Sequence, residues 1–142
     1  MDVLAALVDH GMLLQSARGP LPNVAALVAG EPIKGSWWGH PRGHAIFAAL
    51  QSLEDSPDVV RLRLVNGKVT YVHRRLWPAL VRVADRLQPA KLAALHEVHT
   101  ASGAHRVDEQ PFPDWVPADV VDAASRMSVD EAVAQLPECL GL

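Results

Sequence analysis

The chain has 142 residues, 49% of them apolar and 20% charged, with a formal net charge of −3. That balance is ordinary for a globular domain able to bury a core without cross-links, and it excludes a chain that is chiefly disordered. Apolar runs such as Val3 to Val8 and Val24 to Ala29 fall far short of the roughly 20 residues of a membrane span. The N-terminus carries neither the basic flank nor the small-residue cleavage pattern of a signal peptide. The one cysteine, Cys139, excludes an internal disulfide and fits a reducing compartment, so the expected setting is cytoplasmic.

The charge is unevenly spread. Residues 1–58 hold three basic and six acidic side chains, residues 59–106 nine and two, and residues 107–142 one and eight. A basic middle followed by an acidic tail points to an anionic partner, or to contact between the tail and the basic segment within one fold.

Residues 2–16 place Val3, Leu4, Leu7, Val8, Met12 and Leu14 at mostly helical spacing behind an Asp2 N-cap, which predicts one helix. Asn23 and Gly30 bracket a short apolar helix over 24–29. Residues 31–41, with two prolines, two glycines and a Trp-Trp pair, read as a loop. A third helix is expected from Arg42 to Leu53, burying Ile46, Ala49, Leu50 and Leu53. Val59–Val65 and Lys68–Arg74 flank Asn66-Gly67, a strong signal for a two-residue hairpin turn. With that turn Leu62 opposes Tyr71 and Arg63 opposes Thr70, so the apolar side chains share one face. Arg61, Arg63, Lys68 and Arg74 collect on the other. A helix from Trp77 to Leu87 follows, then one from Pro89 to His99 or Thr100. Residues 106–118 are Pro-rich and extended, and two helices over 118–126 and 129–136 complete the chain.

The expected fold is therefore α+β, with helices packed on an antiparallel hairpin. A core over 1–106 is followed by an acidic, proline-rich linker and C-terminal helices over 107–142 that pack on it. Three helices followed by a hairpin resemble the element order of winged-helix modules, in which the hairpin touches phosphate. The resemblance implies nucleic-acid binding through Arg42, Arg61, Arg63, Lys68, Arg74 and Arg75, with Trp37 and Trp38 stacking on the partner.

Two other function classes stay open. In a small hydrolase acting on a phosphorylated or nucleic-acid substrate, His40, His44 and His73 are the acid/base candidates. In a protein-interaction module, the acidic helices dock a partner or a second copy of the chain. No cofactor is expected. His96, His99 and His105 lie within ten residues but lack the spacing of a recognised metal motif.

Overall fold

The computed structural model describes residues 2–16, 19, 21–64, 67–83, 95–100, 103–106 and 116–138. The chain is α+β: six α-helices and a five-stranded antiparallel sheet among these residues. Helix α1 (Val3–His10) starts where Asp2 accepts the amides of Leu4 and Ala5, at 3.1 and 3.2 Å. It stops at Gly11, whose φ of 78° lies where side chains with a Cβ are strained. The single helix expected over 2–16 is thus cut short, and Met12–Leu14 becomes strand β1. Helix α2 (Val24–Ala29) has the expected Asn23 cap and left-handed Gly30. A 3-10 turn (Trp37–Gly39) leads into α3 (Gly43–Asp55), whose buried residues are the four expected.

Strands β2 (Val59–Leu64) and β3 (Val69–His73) form the hairpin, but one residue away from the expected register. Leu62 opposes Thr70 and Arg61 opposes Tyr71, so the connection is one residue longer than a two-residue turn. Gly67 takes φ 84°, while Val65 and Asn66 lie outside the described residues. The slip exchanges which residues of β3 share a face with the arginines. Tyr71 and Val69 now accompany Arg61 and Arg63, and Val72 and Thr70 accompany Val60 and Leu62.

The hairpin is not a projecting wing, because each of its strands is paired on both sides. The strand order is β1-β3-β2-β4-β5, with β4 (Leu95–Thr100) standing where the end of a helix was expected and β5 (Gly103–Arg106) following it. Residues 84–94, holding the rest of that helix and the end of the one before it, are outside the described residues. The open edge of β2 offers β4 a full ladder of backbone bonds, and tertiary pairing overrides weak local preference. His96 is the extra residue at a bulge, since Arg63 opposes Glu97 while Leu64 opposes Leu95.

Both sheet faces are packed. On one, Leu13, Val59 and Tyr71 meet α1, α2 and α3 through Leu7, Val24, Ile46 and Leu53. On the other, Met12, Val60, Leu62, Val72 and Val98 meet α4 (Trp77–Arg82), α5 (Ala118–Ser125) and α6 (Val129–Gln135). Ser128 caps α6 through the amide of Glu131, as its sequence position predicts. The first layer stops short of the sheet's far edge: on the α3 side Ala104 of β5, in register with His99, is exposed.

Candidate functional site

Where α1–α3 leave the sheet uncovered, two cross-strand rows run over β2, β4 and β5. Arg61, His99 and Ala104 form one row, and Arg63, Glu97 and Arg106 the other. Alternation puts all six on the α3 side. Their polar groups are linked. Glu54, near the end of α3, takes a bond of 2.6 Å from Arg61 Nη1. Arg61 Nη2 donates to His99 Nδ1 at 2.9 Å. A guanidinium only donates, so Nδ1 must be the bare nitrogen of His99 and Nε2 carries the proton, which it donates to Glu97 at 2.8 Å. Arg63 reaches Glu97 at 3.9 Å. The chain borders a cleft of ≈340 Å³ whose walls include Gln51, Asp55, Ser56 and Thr100.

Beside Arg61, directly opposite it on β3 and on the same sheet face, Tyr71 is fully buried and its hydroxyl accepts from the Gln15 amide at 3.2 Å. Burial pushes its phenol up to about 12, opposed in part by that hydrogen bond.

The other end of α3 carries the tryptophans. Their rings meet edge to face at 5.5 Å. Trp37 packs against the α1–α3 core, whereas Trp38 is 73% exposed. The loop beneath is pinned by His40, whose Nδ1 accepts the Arg42 amide at 3.1 Å and whose Nε2–H reaches Glu31 at 2.8 Å. Gly43 lies so close that a Cβ there would sit 3.1 Å from the Trp38 carbonyl oxygen. Phe47, one turn further along α3, is 58% exposed. Phe47 and Glu54 are seven residues apart and so share a helix face within about 20°. A strip therefore runs from Trp38 past Phe47 and Gln51 to the Glu54–Arg61 cleft.

No protein-family model, curated protein or solved structure matches this chain.

The residues singled out in the sequence do not all meet. Arg61 and Arg63 stay on one face, but Lys68 and Arg74 do not join them across the hairpin. Arg74 lies against α5, with Asp119 at 3.5 Å, the one acidic-segment contact made by the expected basic face among the described residues. Arg75 turns to α1 and donates to the Val8 carbonyl at 2.7 Å. Arg42 is exposed beside Trp38. His40 and His73 both spend Nδ1 on a backbone amide, His73 on that of Arg75 at 3.1 Å. His44 is exposed in the first turn of α3, whereas His73 stands opposite Val59, beyond the other end of that helix in the chain. His99 and His105 lie on opposite sheet faces, since His105 is in register with Val98. No group of three or more His, Cys, Asp or Glu among the described residues is placed to hold a metal. No helix among them is long and apolar enough to cross a membrane.

Glu54, Phe47, Glu97 and Arg106 are the members that sequence reading missed. Phe47 left a signal, because an aromatic off the Ile46–Leu53 stripe has no place in the core.

Proposed function

We propose that this protein binds single-stranded nucleic acid along the exposed strip of α3. Bases stack on Trp38 and Phe47, and phosphates meet Arg61, Arg63 and Arg106. The observation that carries the reading is Trp38: an indole left 73% exposed on a loop held by both nitrogens of His40. A large apolar ring fixed in water forgoes burial worth a few kcal/mol, and an ordered exposed aromatic is what a base needs to stack on. Such stacking contributes about 1–3 kcal/mol per base and tolerates any sequence.

The strip is about 20 Å long, the length of a 13-residue helix. That spans roughly six nucleotides at about 3.4 Å each. A single strand suits it better than a duplex, because the hairpin that would have touched duplex phosphate is enclosed in the sheet. The paired state of Arg61 also has a use. Glu54 and His99 hold the guanidinium in place, and a phosphate can replace Glu54 without the arginine being reordered. A cytoplasmic setting, expected from the single cysteine, suits this reading.

The test is fluorescence anisotropy with labelled oligo-dT, oligo-rU and a duplex, at low and physiological salt. Expected is a preference for single strands and a log–log salt slope of about −2 for three phosphates neutralised. Absence of binding at low salt, or a preference for duplex, refutes the proposal. A protein partner with a pocket for the indole is the second reading, favoured by the same exposed Trp38 because tryptophan dominates binding hot spots. It gains if oligonucleotides fail while Trp38→Ala abolishes capture of a partner.

A further inference from the structure

A second cavity, of ≈220 Å³, lies between the sheet and the α4–α5 layer and shares Val59 and Thr100 with the cleft just described. Its apolar walls are Pro57, Val59, Val60, Trp77, Pro117 and Val120, with Thr100 and Arg74 as the polar members. Trp77 is 2% exposed, so only an edge of its fixed ring reaches the floor of the cavity, and Pro57 and Pro117 present the accessible apolar surface at the mouth. The backbone of Arg74 is held by a bond of 2.7 Å from its amide to the Asp58 carbonyl. Its guanidinium, about half exposed, has an ion-pair partner in Asp119 at 3.5 Å, a long contact between two exposed groups. Such a pair contributes little and yields easily to a better-placed anion.

We infer that this cavity is a binding site for a small aromatic carboxylate, the ring lying between Pro57 and Pro117 with its inner edge towards Trp77, Val60 and Val120, and the carboxylate on Arg74. The volume fits: a buried apolar cavity of about 150 Å³ holds benzene, and the surplus here leaves room for one carboxylate at the mouth. One arginine amid apolar walls selects a planar monoanion, which a guanidinium grips with two parallel hydrogen bonds. A phosphate dianion would bring a second charge with no second cation to meet it among the described lining residues. Asp119 competes with the ligand, so binding exchanges an exposed, long ion pair for a partly buried, bidentate one. The site uses an apolar recess with a single convergent charged group, the usual construction of small-molecule pockets.

Titration with sodium benzoate, followed by 1H–15N NMR at the Trp77 indole and the Val60 and Val120 amides, tests the inference. Benzyl alcohol serves as the uncharged comparison. Expected are saturable shifts with benzoate, binding at least tenfold weaker in Arg74→Gln, and binding severalfold tighter in Asp119→Asn. No saturable shift, equal binding of benzyl alcohol, or undiminished binding by Arg74→Gln overturns it. Should Arg74→Gln fail to fold, the benzoate and benzyl alcohol titrations of the unsubstituted protein decide.

Discussion

Replacing Tyr71 with Phe gives a sharp test of the packing beside the Arg61–His99 row. The phenol is fully buried on β3, and burial pushes it up from 10.0 to about 12. Because the folded value is the higher one, the fold favours the neutral phenol. The associated stability is complete below pH 10, where the unfolded chain begins to ionise, and is lost as pH rises towards 12. Two pKa units amount to about 3 kcal/mol in all, and about half of it is gone by pH 11. Tyr71 is the only tyrosine, so the ultraviolet band of tyrosinate reports this one group without interference. Denaturant unfolding of both proteins between about pH 9 and 11 should show the wild type losing about 1 kcal/mol more than Tyr71→Phe. Lysines titrating in the same range cancel in that comparison. Tyrosinate forming with a midpoint near 10 while the far-ultraviolet dichroism stays native would refute the burial argument.

Trp38→Ala should leave the unfolding free energy within about 0.5 kcal/mol and weaken single-strand binding by roughly 5- to 150-fold. Trp77→Ala, at a buried site, should cost about 3–5 kcal/mol in urea unfolding. Gly11→Ala combines φ 78° with a Cβ only 2.7 Å from Leu76 Cδ1. It should destabilise the protein by more than about 1 kcal/mol, seen as a lowered urea midpoint. His40→Ala removes both bonds of the loop pin. Faster hydrogen exchange of the Arg42 amide is expected, with a cost of about 1 kcal/mol and weaker oligonucleotide binding.

Much of the fold was legible because local signals agreed with tertiary packing. Asp2, Asn23 and Ser128 each cap the helix their positions predict, and the buried stripe of α3 is the one its spacing predicts. What was lost turns on long-range pairing. A hairpin connection longer by one residue shifted the register, and with it the face shared by Tyr71. Strand β1 is three residues long and pairs with β3 some sixty positions away, so nothing local announces it. Strand β4 carries polar Glu97 and His99 where one face is uncovered, which blurs the alternation that would mark a strand. The site followed the same division. Arg61 and Arg63 were readable from spacing within one strand. Glu54, Glu97 and Arg106 joined them only through the pairing of β2 with β4 and β5 and the placement of α3.

The two hydrophobic clusters divide the chain in time as well as space. Among the described residues, every buried member of the cluster under α1–α3 lies between Val3 and Tyr71. The opposite cluster draws on residues from Met12 to Leu136. During synthesis the first can close when little more than half of the chain has left the ribosome, since chains fold in the order they emerge. Until α4–α6 arrive, Val60, Leu62 and Val72 stand uncovered on the other side of that nascent sheet, and the β2 edge that β4 will occupy is unpaired. The same edge that admits β4 can admit a strand from another chain, so the interval between the synthesis of β3 and β4 is the protein's most aggregation-prone stage.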